Sequence, residues 1–150
     1  MTTVQIPQRM NFATVAPKVF KAVLALDAAA RQGLDPVLVE LVQIRASQIN
    51  RCTYCIDYHT GDARKAGERE ERIYQLNGWE ESSLYTSEER AALALTEAVT
   101  RLPDGVPDAV YVEAAQHFTE PELAQLIALI FTVNTWNRMN VATRKTPGTQ

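Results

Sequence analysis

ELVQIRASQINRCTYCIDYH, residues Glu40–His59, decides how this chain is read. It holds both cysteines of the protein, Cys52 and Cys55, as a C-x-x-C pair, and His59 follows Cys55 by four residues. Glu40 precedes Cys52 inside the apolar run VLVELV. Just upstream, Asp35-Pro36 is a helix start, with an acceptor at the cap and a proline at the first helical position. The helix that follows is expected to bury Leu38, Leu41, Val42, the stem of Arg45 and Ile49 on one face, with Glu40, Ile44 and Ser47 on another. Asn50-Arg51 ends it, and a second helix runs from near Cys52 or Thr53 to about Gly67.

Geometry decides whether these four residues can meet. On one straight helix, Glu40 and Cys52 would stand about 18 Å apart and could not share a site. A turn at Asn50-Arg51 instead folds two helices antiparallel and brings Glu40 and His59 to similar heights, roughly 10–15 Å from the bend. Cys55 lies one turn below His59 on the same face. Carboxylate, imidazole and thiol then form a line, the order a proton relay needs. The cysteines fall in the first turn of their helix, where unpaired N–H groups and the helix dipole stabilise a thiolate. Helix-end logic favours Cys52 as that thiolate, and spacing to His59 favours Cys55. The pair can close a short disulfide, so a thiolate there can be oxidised and then resolved. These are the parts of a peroxide-reducing or disulfide-exchanging site.

Working outward, residues 1 to about 10 read as an extended arm, since Pro7 and Pro17 discourage a helix before Lys18. From there to Arg31, Val19-Phe20, Val23-Leu24 and Leu26 recur at helical spacing, and Gly33 is a stop. The charged segment from Glu68 is a solvated face leading to a short helix that ends at Asn77-Gly78, with Trp79 turned back on the core. Thr86 with Glu89 is a capping box opening a helix through Leu102. Pro103-Asp104-Gly105 is a turn, and Pro107 to Phe118 is a further short helix. Thr119 with Glu122 is a second capping box, opening the longest helix to about Thr143. Its stretch Leu126 to Val133 is apolar nearly all round and belongs in the core or a subunit interface. The tail Lys145 to Gln150 is expected to fray. No period-two strand pattern and no repeat is found. The reading is all-α, about seven helices, one domain.

Length and composition agree. The 150 residues suit one domain with a real core, at 46 % apolar and 22 % charged. A net charge of −3 argues against a nucleic-acid binder. The first twenty residues lack a secretory pattern, and the longest apolar run is too short for a bilayer. Two cysteines in such a chain point to redox or metal chemistry in the cytoplasm rather than a structural staple.

The pattern E-x11-C-x-x-C-x-x-x-H, carried by Glu40, Cys52, Cys55 and His59, resembles the core motif of the alkylhydroperoxidase AhpD-like family, within the carboxymuconolactone decarboxylase superfamily. The flanking CTYCIDYHTGDARKAG and the late NTWNRMNVATR are also similar to it, so the resemblance covers about residues 15 to 143. It implies an all-helical domain in trimers or hexamers and a thiol peroxidase. Cys55 would attack the peroxide, Cys52 would resolve, and Glu40 and His59 would pass the proton. Electrons would come from a thiol or dithiol partner protein, with no bound cofactor. Where the best-known members carry a histidine between the cysteines, this chain has Tyr54, which is no base near neutral pH.

Other readings stand beside this one. Cys52, Cys55, His59 and Glu40 could be four zinc ligands in a non-catalytic module, although no second C-x-x-C or H-x3-5-H accompanies them. A lactone decarboxylase of the same superfamily would leave the cysteines without a task. Glu40 could simply pair with Arg45, Arg51 or another cation. His117 reads as a surface or capping residue. Trp136, Asn137 and Asn140 read as helix-to-helix hydrogen-bonding groups, with a place in the site or an interface as the alternative. Tyr54 and Tyr58 either line the pocket mouth or pack.

Overall fold

A computed structural model describes residues 1–148. Among them are eight α-helices: α1 (Phe12–Val15), α2 (Pro17–Ala30), α3 (Pro36–Ile49), α4 (Thr53–Lys65), α5 (Glu70–Tyr74), α6 (Ser87–Thr100), α7 (Asp108–His117) and α8 (Glu120–Thr143). Two short 3-10 turns, Leu76–Glu81 and Leu102–Asp104, complete the described elements, and no strand occurs among these residues. The all-α expectation holds. None of the described helices is long and apolar enough to cross a membrane.

The helix starts form where short polar side chains satisfy the orphan N–H groups of the first turn. Asp35 accepts from the backbone N–H groups of Val37 and Leu38, with Pro36 at the first helical position. Thr86 with Glu89 and Thr119 with Glu122 both form reciprocal capping boxes. The carboxyl of Glu122 is held below the usual carboxylate range, first by the Thr119 backbone N–H and then by its hydroxyl. The expected absence of helix before Lys18 is overturned by α1. Asn11 accepts from the N–H of Thr14, and Pro17 opens α2 instead of blocking a helix.

α3 is the axis of the fold, packed against α4, α6 and α8. Every residue from Leu38 to Ser47 is buried, so the expected division into one core face and another face gives way to burial on all sides. Ile49, placed in the core by its spacing, is only half-buried. One cluster joins Leu38, Val39 and Val42 to Leu95, Phe118, Leu126 and Ile130. A second joins Leu41 and Ile44 to Ile73, Leu76, Trp79, Tyr85 and Leu93.

Two arginines carry left-handed backbone where glycine is the usual choice, Arg51 (φ 56°) and Arg144 (φ 55°). At the first, the Cys52 N–H donates to the Ser47 carbonyl (3.0 Å) and the Arg51 N–H to that of Gln48 (3.2 Å), which closes α3 in a Schellman arrangement. Cys52 is at once the N-cap of α4, so the helices reverse within two residues. At the second, the Lys145 N–H returns to the Asn140 carbonyl (2.9 Å). The tail expected to fray from Lys145 is therefore tied down at its start, while Thr149 and Gln150 lie outside the described residues. The N-terminal arm has no regular structure, but the Arg9 N–H bonds the Thr143 carbonyl at the end of α8 (2.8 Å).

Candidate active site

The reversal at Arg51 lays α4 along α3, and the Nδ1 of His59 meets Oε2 of Glu40 at 3.0 Å, both side chains buried. Toward a carboxylate, which only accepts, Nδ1 is the donor of this bond, and Nε2 is the ring nitrogen that Glu40 does not engage. Cys55, one turn earlier on α4, is joined to Cys52 in a disulfide, with Cα atoms 5.3 Å apart. The short bridge expected from the C-x-x-C spacing is formed. The Cys55 N–H donates to Cys52 Sγ (3.3 Å), the side-chain cap that opens α4.

The alternative partners expected for Glu40, Arg45 and Arg51, are not used. Glu40 Oε1 accepts from Arg31 at 3.3 Å, and Arg31 itself donates through Nε to Asp27 at 2.7 Å. Trp136 on α8 donates its indole N–H to the other oxygen of Asp27 (3.0 Å). A continuous chain thus runs from Trp136 through Asp27, Arg31 and Glu40 to His59. Burial pulls the Arg31 guanidinium down, but its hydrogen bond and charge pairing with Asp27, and then with Glu40, outweigh it and hold the pKa above the ordinary arginine value.

A cleft of about 210 Å³ opens over this chain. Cys55 and His59 line it and Cys52 does not. Its walls are Phe20 and Leu24 from α2, Tyr54 and Tyr58 from α4, and Trp136 and Asn140 from α8. Phe20 meets Trp136 edge-on (5.5 Å), and Tyr58 meets the His59 ring likewise (5.3 Å). The ammonium of Lys145 sits 4.4 Å from the centre of the Tyr54 ring. Of the two roles open to Tyr54 and Tyr58, the structure gives them that of pocket walls.

Of Trp136, Asn137 and Asn140 on α8, Asn137 fits the helix-linking role, donating to Ser47 (2.9 Å) and accepting from Asn50 (2.9 Å). Trp136 and Asn140 also bond across helices, to Asp27 on α2 and to Cys55 Sγ on α4 (3.4 Å), and both line the cleft as well. Arg31, Asp27 and Leu24 do not stand out in the sequence. Their only local signal is the i, i+4 spacing of an acid and a base on α2, which is common on solvated helices. His117 pairs with Glu113 at 3.3 Å, a surface arrangement as expected. Among the described residues, no three His, Cys, Asp or Glu side chains are grouped to hold a metal ion.

An all-helical chain with a C-x-x-C disulfide beside a buried Glu–His pair is of the AhpD-like type. The sequence profile of the carboxymuconolactone decarboxylase family matches residues 17–98, more than half of the chain, and the protein belongs to that family. The uncharacterised Bacillus subtilis (strain 168) protein YdfG is 40 % identical over 137 residues, 90 % of this chain and 93 % of its own. The Agrobacterium tumefaciens protein ATU0492, of unknown function and provisionally placed with the AhpD antioxidant-defence proteins, superposes with a TM-score of 0.93. It is 36 % identical, over 96 % of this chain and all of its own. The debrominase Bmp8 shares the fold at 21 % identity and a TM-score of 0.78, over 90 % of this chain and 74 % of its own.

Proposed function

We propose that this protein reduces hydroperoxides through the Cys52–Cys55 pair. The observation that carries the reading is the asymmetry of the two sulfurs, with only Cys55 lining the cleft beside His59. In the reduced protein, His59 Nε2 takes the Cys55 proton while Glu40, anchored by Arg31, orients the ring. The Cys55 thiolate attacks the distal peroxide oxygen, the O–O bond breaks, and the alcohol leaves with a proton. The sulfenic acid on Cys55 is then displaced by the Cys52 sulfur, releasing water and forming the disulfide. A partner thiol or dithiol protein supplies two electrons and two protons to reopen it, and the same exchange chemistry makes the protein a disulfide reductase toward that partner. No resident cofactor takes part, and the balance suits a reducing cytoplasm.

Stopped-flow mixing of reduced protein with hydrogen peroxide and with an organic hydroperoxide tests this reading. Loss of two thiols per chain, with one peroxide consumed per disulfide (one alcohol and one water from the organic hydroperoxide, two waters from hydrogen peroxide), is the expected result. Persistent free thiols, or lactone-decarboxylating activity retained when both cysteines are serine, would overturn it.

The same reading includes assembly into a trimer or hexamer. The apolar stretch Leu126 to Val133 contributes little, because α8 buries most of it within one chain and leaves only Phe131 well exposed, at 45 %. Stronger support comes from Val4, Ile6, Met10, Val15, Val19, Leu24 and Leu26, all exposed on the arm and the first two helices. Light scattering is expected to give a multiple of 16.7 kDa.

A further inference from the structure

The two sulfurs of the pair have different hydrogen-bond donors. Cys52 Sγ receives a backbone N–H from its own helix, that of Cys55. Cys55 Sγ receives a side-chain amide from another helix, Asn140 Nδ2 on α8, at 3.4 Å. Asn140 is only 7 % exposed and lines the same cleft as Cys55. Its backbone is held as well, because its carbonyl accepts the Lys145 N–H that closes α8.

We infer that Asn140 is a further catalytic residue, the donor that stabilises the Cys55 thiolate. The inference rests on the reading of Cys55 as the attacking sulfur. A disulfide sulfur is a weak acceptor, so in the oxidised protein the amide is poorly satisfied for a group so buried. Reduction and loss of the Cys55 proton place a full negative charge on the same atom, and the contact becomes a charge-assisted hydrogen bond. A donor that bonds the charged form better than the neutral one lowers the pKa of the acid. It also resolves the tension in the sequence, where the helix start favours Cys52 and the spacing to His59 favours Cys55. The helix start does serve Cys52, and α8 supplies the equivalent donor to Cys55. Tyr54, at the position between the cysteines, lies under Lys145 and takes no part in this bond.

The charged and titratable groups facing this sulfur come from every helix around it. They are His59, Tyr54 and Tyr58 on α4, Glu40 on α3 behind His59, Asp27 on α2 and Arg31 at its C-cap, and Lys145 after α8. All of them persist in Asn140 variants, so a change there reports the amide. The experiment is a titration of Cys55 by thiolate ultraviolet absorbance in the Cys52→Ser protein, where it is the sole thiol. Asn140→Ala and the similarly shaped, donor-free Asn140→Leu are compared with that parent. The expected result is a Cys55 titration midpoint about one to two pH units higher in both variants, the scale of one charge-assisted hydrogen bond. At any pH below the midpoint, the peroxide reaction should slow by about three- to tenfold for each pH unit the midpoint rises, because less thiolate is present while each thiolate is somewhat more nucleophilic. If Asn140→Ala does not fold, Asn140→Leu decides alone. An unchanged midpoint in the folded variant overturns the inference. The proposed peroxidase activity is judged separately, by whether the Cys52→Ser parent itself is oxidised by peroxide.

Discussion

Two carboxylates in this molecule are bound in the same way. Asp27 takes an indole N–H from Trp136 (3.0 Å) and a guanidinium Nε–H from Arg31 (2.7 Å). Glu97 takes an indole N–H from Trp79 (2.9 Å) and a guanidinium Nε–H from Arg45 (2.8 Å). The difference lies in where each arrangement leads. Arg45 is buried and directs another N–H group to Gln48 and Asn77, and the second Glu97 oxygen accepts from the exposed Arg101 (3.4 Å), so the Glu97 cluster runs out to solvent away from the cleft at Cys55. Arg31 is about one-third exposed, at 32 %, and directs its second contact to Glu40, from which the chain continues to His59 and the cleft at Cys55. A buried ion pair with an indole donor therefore does not mark a site by itself. An open end on a cavity lined by a cysteine sulfur is what separates the two.

The largest effect expected is at the sulfurs themselves. Cys55→Ser should abolish peroxide consumption, whereas Cys52→Ser should allow one oxidation per chain and then stall as a sulfenic acid on Cys55. Mass spectrometry of the intact chain after one equivalent of peroxide separates the two, as one added oxygen against none.

Next comes the proton path. His59→Ala should slow oxidation of Cys55 near neutral pH by a factor of about 10²–10⁴, the usual worth of a positioned base. Glu40→Gln should slow it less, since glutamine can still accept from Nδ1. It does not carry the charge that favours the imidazolium formed when Nε2 takes the proton. Both deficits should shrink as pH rises and hydroxide forms the thiolate unaided. Second-order rates from pH 5 to 9 check this, and wild-type rates for both variants throughout would remove the relay.

The paired arginines give the direct contrast. Arg45→Ala takes from the half-buried Glu97 its nearest cation, leaving only the exposed Arg101, and should cost about 1–3 kcal/mol of unfolding free energy, with oxidation kinetics unchanged. Arg31→Ala also takes a guanidinium from a buried carboxylate, Glu40, and should cost about 1–3 kcal/mol, and it alone of the two should slow oxidation, through the loosened Glu40. Urea unfolding alongside stopped-flow kinetics tests both halves. A variant pair with equal rates would erase the distinction between the clusters.

The smallest effect is at the turn that delivers the cysteines. A non-glycine residue in left-handed backbone costs about 1–2 kcal/mol, so Arg51→Gly should raise stability by about 1 kcal/mol. The Cys55 titration should not move, because Arg51 touches none of the site chain. Thermal unfolding measures the gain.

What the chain makes legible before it folds is local. The starts of α3, α6 and α8 can be read because a cap side chain bonds N–H groups two or three residues away, and that spacing is written in the sequence. Cys55 and His59 share a face for the same reason, since four residues make about one helical turn. The encounter of Glu40 with His59 is legible one step further, because a turn of two residues leaves the flanking helices little choice but to lie antiparallel. α1 escapes a reading that treats Pro17 as a barrier, because proline is compatible with the first turn of a helix. Arg31 instead of Arg45 beside Glu40, Trp136 on Asp27 and Asn140 on Cys55 are contacts between separate helices. They depend on the angles and heights at which α2 and α8 settle against α3 and α4. The burial of many apolar side chains sets those angles together, so no short pattern in the sequence records them. The sequence by itself determined the capped helix starts and the spacing of the cysteine pair and its histidine. Tertiary packing alone decided which charges hold Glu40, which amide meets Cys55, and which sulfur faces the cleft.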